Sequence, residues 1–339
     1  MVRAPLWLIG AAVFTASALL VGALVGPVNL GVGGVLQGTF AHVFGVHNPL
    51  SATNDAILWE VRLPRVVLGG IVGATLALSG AAYQGVFRNP LADPYLLGAA
   101  AGAGLGATLA VVYGPSGGFS GDLVPVAAFV GASVAVVAAY ALGRTAGAGA
   151  GAAALVLAGV TVAAFLTALQ TFVQQQNVQT VQEVYSWLLG RLATSGWHEV
   201  VIVLPYSIFS WTVILLHRRL LDVLAVGDEE AAALGVRVAR VRIVVVVAAT
   251  VGTAAAVAVS GLIGFVGIIV PHTIRLLAGG SYRLLLPLTI LIGAGFLVFT
   301  DVLARTIISP AELPIGVVTA FFGAPFFAIV LRTSRRMAV

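Results

Sequence analysis

Nine stretches of this chain run for 17 residues or more without one Asp, Glu or Arg: 4–54, 66–87, 94–121, 123–143, 145–182, 200–217, 243–274, 284–300 and 313–331. A transmembrane helix takes about 20 predominantly apolar residues. A chain with this pattern has to meet lipid along most of its length. Charged residues make up 9% of it, against about 25% in soluble domains, which excludes a soluble enzyme of this size.

The run 243–274 is interrupted at Ser260-Gly261 and Gly264, so it holds one full helix and one short one. That gives about ten spans, near 6–26, 64–84, 95–113, 123–142, 152–172, 198–217, 241–260, 264–277, 284–303 and 314–332. The first is too long for a signal-peptide core and reads as a retained helix. Residues 27–54, rich in Gly, Asn, His and Ser, read as a long external loop with a surface helix. With ten spans, 13 of the 17 arginines fall on the side of the termini; Arg62, Arg65, Arg191 and Arg305 fall opposite. The positive-inside rule then puts both termini in the cytoplasm. The expected fold is an all-α polytopic membrane protein with one domain, 1–339. Glycines inside spans, such as Gly98, Gly102, Gly104 and Gly106, predict close helix packing.

All 17 basic residues are Arg, and there is no Lys and no Cys. A Walker A loop needs Lys, so ATP hydrolysis by that route is excluded, as is Schiff-base or thiolate catalysis. The arginines punctuate apolar runs instead of clustering, so nucleic acid is not an expected partner. No metal site and no cofactor are expected in this chain.

Local motifs are weak one by one. Residues 101–107 contain G-x-G-x-x-A, but inside a span this reads as helix packing. Gly114-Pro115-Ser116-Gly117-Gly118 matches G-x-S-x-G, yet His272 is the only intramembrane base and the segment reads as an external turn. Arg88 to Pro94 is a turn with two prolines. The amide run Gln174, Gln175 and Gln176, continuing to Gln182, cannot face lipid cheaply and reads as a water-filled mouth. Between spans six and seven, Asp228, Glu229, Glu230, Ala231, Leu234, Gly235 and Val236 form a short helix (about 227–237), with Gly227 at its start and Gly235 as its stop. An apolar side of Ala231, Leu234 and Val236 would suit a groove on a partner. Asp301 and Arg305 are spaced to pair.

Taken together, several stretches resemble one family. They are Arg62-Leu63-Pro64-Arg65; Asn89-Pro90-Leu91-Ala92-Asp93-Pro94 with Leu97-Gly98; Leu157-Ala158-Gly159-Val160; Trp187-Leu188-Leu189-Gly190; Gly264-Phe265-Val266-Gly267 with Pro271-His272 and Arg275; and Glu312 to Ala320 with Gly323-Ala324-Pro325. From about residue 60 onward the chain is similar to the FecCD family, permeases of bacterial ABC importers for iron complexes and cobalamin. The resemblance implies a homodimeric type II importer fold in the bacterial cytoplasmic membrane. Two separate ATP-binding subunits would bind the cytoplasmic face, and a substrate-binding protein would dock outside. It implies ATPase coupling by Asp228 to Val236 and a cytoplasmic gate at Asn89, Leu91, Gly147 and Gly149. It further implies an outer gate from Gln182 to Arg191. Arg191 stands where many relatives carry a small residue. Arg62, Arg65 and Arg305 become expected docking residues for the binding protein, with pairing of Arg62 to Glu60 and of Arg305 to Asp301 as the local alternative.

The expected function is a permease that hydrolyses nothing itself and passes a ferric siderophore, haem, or alternatively cobalamin. A secondary transporter is disfavoured because the spans are nearly free of ionisable groups. An intramembrane serine protease is disfavoured for want of a convincing base.

Overall fold

The computed structural model describes residues 4–114, 123–145, 151–192 and 196–337, and among these the regular structure is all helix. In chain order the helices are α1 Ala4–Leu24, α2 Gly31–Phe44, α3 Ala52–Ala56, a π-turn Ile57–Arg62, α4 Leu63–Phe87, α5 Ala99–Tyr113, α6 Leu123–Thr145 and α7 Gly151–Gln176. A 3-10 turn, Val178–Thr180, leads to α8 Val181–Leu188. Then come α9 His198–Leu216, α10 Arg218–Leu224, α11 Asp228–Ala233, α12 Val238–Ser260, α13 Val266–Ala278, α14 Tyr282–Thr306 and α15 Ile315–Met337. Among the described residues, seven helices are long and apolar enough to cross a membrane, and three shorter apolar ones are Ala99–Tyr113, Val266–Ala278 and Ile315–Val330. Each expected span overlaps one of these helices.

Helix α4 is the axis of the bundle. It is buried along nearly its whole length, because its apolar residues lie all round and not on one stripe. Helices α9, α12, α13 and α14 pack around it. Its few polar groups find partners inside: the Thr75 hydroxyl donates to Ser207 at 3.1 Å and accepts from the Trp211 indole at 3.0 Å, and Tyr83 pairs with Thr250 at 2.7 Å. Helices α1, α6, α7 and α9 turn Ile9, Val134, Phe165 and Phe209 outward, as a lipid-facing surface requires.

Three expectations change. The span near 64–84 is the membrane part of one continuous helix, Ala52–Phe87, which begins twelve residues before the expected span and takes the last three residues of the expected loop. Ser51 caps that rod, and Asp55 accepts from Asn48 at 2.6 Å and pairs with His42 at 2.9 Å, which moors α2 to it. The span near 95–113 starts later, at Ala99, because residues 93–98 form a turn. There the Tyr95 N–H donates to Asp93 at 2.8 Å and Gly98 takes φ +82°. The hydrophilic stretch before residue 242 holds two helices and not one. Leu221 and Leu224 of α10 are fully buried, which the local polarity of Arg218, Arg219 and Asp222 disguised.

Small residues set the closest approaches. A Cβ at Gly102 of α5 would lie 2.2 Å from the Gly131 carbonyl of α6. Gly102→Leu therefore has to separate two backbones, and is expected to destabilise the protein by about 3 kcal/mol through overpacking. Gly10→Leu meets nothing within 4 Å and should melt like the parent in detergent. Equal melting of both variants would show that α5 and α6 can part freely.

Candidate functional site

Polar side chains collect at the two ends of the bundle. One end carries α10, α11 and residues 88–98; the other carries α8 and the loop 307–314.

At the first end, α11 is a single short helix. The Ala231 N–H donates to the Gly227 carbonyl at 3.0 Å, and Gly235 stops the helix at φ +82°. The helix is shorter than the expected 227–237, ending at Ala233, though Gly227 and Gly235 flank it as read. Its expected apolar side is split, however. Ala231 is fully buried in the core, whereas Leu234 is 70% exposed. Glu229 points outward, and the Glu230 carboxylate folds back over Gly227, where a Cβ would lie 1.8 Å from Oε2. Asp228 is the anchor: it accepts from Arg242 at 3.1 Å and lies 3.9 Å from Arg88. Arg88 ends α4 in the left-handed region, at φ 49°. One carboxylate thus ties α11 to α12 and to the start of the two-proline turn.

Asn89 and Leu91, both exposed, lie on that turn, and the Asn89 side chain accepts from the Leu91 N–H at 3.0 Å. Behind it runs a network that sequence reasoning missed. Gln84 donates to the Ala92 carbonyl at 3.3 Å and to the Gly267 carbonyl at 3.0 Å. Arg275 donates to Gln84 and to the Tyr282 hydroxyl. Asp222 of α10 accepts from the Tyr282 N–H at 2.6 Å and from Ser281 at 3.1 Å. The signal available was polar residues placed in otherwise apolar helix ends, which need partners. Their partners lie up to 191 residues away in sequence. Gly147 and Gly149 lie outside the described residues, as does most of the Gly114–Gly118 motif.

At the other end, Gln174 is half-buried near the end of α7, and Gln175, Gln176 and Gln182 are exposed. Arg191 follows α8 and is exposed; its backbone N–H donates to Ser260 at 2.8 Å. A cavity of about 320 Å³ lies beside it, with Arg65, Ser186, Asp301 and Glu312 on its wall.

The three arginines expected to face a docking partner are mostly turned inward, and this corrects the exposed-patch reading. Arg62 is 4% exposed and donates to the carbonyls of Ala23, Leu24 and Val28 at 3.1, 3.2 and 2.7 Å. Arg305 is also buried, donating to the Gly22 carbonyl at 2.9 Å and lying 3.4 Å from Asp301. The reason is α1, which has no basic residue in its last turn. A helix end leaves carbonyls without partners, and Arg62 and Arg305 fill that need. Neither faces Glu60. Arg65 forks between Asp301, at 2.8 to 3.2 Å, and Glu312, at 2.9 Å. The spans are therefore less free of ionisable groups than expected, but Arg65 and Arg305 meet carboxylates and Arg62 meets backbone carbonyls.

Between the two ends lies a concave apolar face of about 650 Å³, walled by Leu189, Leu262, Val317, Ala320, Phe321 and Pro325. His272 stands beside it, edge-on to Phe326 at 5.7 Å. Pro271 and His272 both lie within α13. Among the described residues no three His, Asp or Glu side chains converge as a metal site.

Comparison with known proteins gives the same architecture. The model of the FecCD transport family matches residues 12–333. The cobalamin import system permease of Halobacterium salinarum is 42% identical over 87% of this chain and 78% of its own. The Fe(3+) dicitrate transport system permease of Escherichia coli is 38% identical over 81% of this chain and 85% of its own. A solved chain assigned to the metal-chelate type of ABC transporter, in an inward-facing conformation, superposes with a TM-score of 0.84 at 29% identity, over 97% of this chain and 99% of that one.

Proposed function

The chain belongs to the FecCD transport family, and from that premise we propose that it is the membrane-spanning subunit of an ATP-driven importer for an iron chelate. The observation that carries the reading is a short acidic helix, α11, at one end of an apolar bundle whose sequence has no Lys and so no Walker A loop. The energy source then has to be another chain. We read seven long and three short apolar helices as ten crossings, with the arginine-rich end and both termini in the cytoplasm of a bacterial cell. The whole chain is read as one permease domain.

In this reading the exposed Leu234 and Glu229, on the frame set by Asp228, meet the ATP-binding subunit. Two copies of the chain face each other across the concave wall of Leu189, Val317 and Phe321. Such a wall suits a bulky chelate that has to pass without being held. Leu91 belongs to the cytoplasmic gate, and the amide rim with Arg191 to the outer mouth. A substrate-binding protein is placed at that mouth, around Arg65 and Glu312 and no longer around Arg62 and Arg305. The iron chelate is favoured by the dicitrate relative and the metal-chelate fold match. The cobalamin relative, at 42% identity, supports the second reading, and a binding protein presented with each ligand separates the two.

Two tests follow. A separate ATPase should co-purify with the permease, and recovery of the permease without one from its native membrane would remove the importer reading. Leu91→Cys gives a clean probe in a chain with no Cys. It should crosslink to its symmetry mate at one stage of the ATP cycle and stop transport while linked. No crosslink at any stage would take Leu91 out of the gate.

A further inference from the structure

Two of the apolar helices are too short for the bilayer. At 1.5 Å per residue, α5 with 15 residues and α13 with 13 reach only about 20 Å, against a hydrocarbon core of about 30 Å. Each is completed by chain that is not helical. Residues 88–98 climb from the α11 end to the start of α5. Residues 261–265 descend from the α8 end to the start of α13. Non-helical backbone at that depth needs partners for its N–H and C=O groups.

The two segments meet at Tyr95. Its hydroxyl donates to the Ile263 carbonyl at 3.0 Å and accepts from the Ile263 N–H at 3.2 Å. One side chain from the climbing segment therefore satisfies both backbone groups of a residue in the descending one. Each segment is in turn fixed to the gate at its own end. The turn is held to α4 by Gln84, and Pro94 packs on Gly267, where a Cβ would lie 2.6 Å from its Cδ. The descending segment clamps the outer mouth: a Cβ at Gly261 would lie 2.2 Å from the Trp187 carbonyl, and one at Gly316 would lie 2.8 Å from the Leu262 carbonyl. Ser260 holds the Arg191 N–H, and the Leu189 and Gly190 carbonyls hold the first N–H groups of α15 at 3.1 and 3.3 Å.

We propose that Tyr95 is a positioning residue that joins the two gates, so that movement of the Leu91 turn is passed through Ile263 to α8 and the start of α15. This rests on the permease reading and adds to it the mechanical link between its two gates. Rigid, packed and hydrogen-bonded chains of this kind can carry coupling between distant sites.

The test uses the reconstituted importer and Tyr95→Phe, which removes the hydroxyl and keeps the ring. Thiol-labelling rates are read at Leu91→Cys and, in a separate protein, at Leu189→Cys, with and without ATP. With Tyr95 present, ATP should change both rates. In Tyr95→Phe the change at Leu91→Cys should remain, while that at Leu189→Cys should shrink about fivefold or more. Transport should fall with it, and the ATPase rate should persist. Joint changes at both probes in Tyr95→Phe would overturn the strut while leaving the permease standing. No ATP response at either probe with Tyr95 present would overturn the permease reading itself. Hydrogen exchange in the unsubstituted chain gives a second measurement: the Ile263 amide should stay protected in both nucleotide states, and fast exchange in either state would remove the link.

Discussion

Asp301→Ala is expected to cost about 3–5 kcal/mol and to leave little folded protein at ambient temperature. Asp301 is 2% exposed and sits between Arg65 and Arg305. Without it two guanidinium groups, with Arg62 nearby, share a buried space and one half-exposed carboxylate, Glu312. A buried ion pair adds little net stability when compared with apolar packing, but removal of one partner strands the other charge. Glu312→Ala should cost about 1 kcal/mol or less, because water can reach Arg65 from that side. Thermal melting in detergent compares the two. Equal losses would show that the cluster is wetter than its burial indicates.

Leu234→Asp is expected to leave the protein folded and inserted, and to lower ATP-driven transport by about a hundredfold, as loss of a central interface anchor does. Its side chain is 70% exposed and touches no core cluster, so nothing in the monomer depends on it. Ala231→Asp would be the wrong probe, since Ala231 is fully buried and a charge there would unfold the local structure. Co-purified ATPase per permease is the direct readout for Leu234→Asp. Full transport with the substitution would move the coupling surface elsewhere on α10 or the turn after α11.

The ten apolar helices were legible because lipid imposes length and composition on each span separately. The glycines flanking α11 were legible for a related reason: Gly227 and Gly235 are local signals, although the helix between them is shorter than expected. The pairing of charges was not. Asp301 to Arg305 could be read from an i,i+4 spacing, but Arg65 to Asp301 spans 236 residues and depends on which helices are neighbours. The inward turn of Arg62 follows from the need of another helix, α1, for partners at its end. A topology count sees on which side an arginine lies and not whether it is buried there. Tyr95 was hidden by its own context: between Pro94 and Leu96 it looks like one more apolar residue of a span, and its hydroxyl acquires meaning only when residues 261–265 are placed above it.

The short α13 has a consequence for biosynthesis. Thirteen residues that include Pro271 and Arg275 partition poorly into a bilayer as an independent segment, since a full span takes about 20 apolar residues. Its place is prepared by α4, made almost 200 residues earlier, where Gly80 leaves room for the Gly267 backbone and Gln84 receives Arg275. α13 is therefore expected to settle only once it packs on α4, whereas α12, 23 residues long and apolar, is long enough to span by itself. The seating of α13 is thus expected to depend on a surface synthesised in the first quarter of the chain.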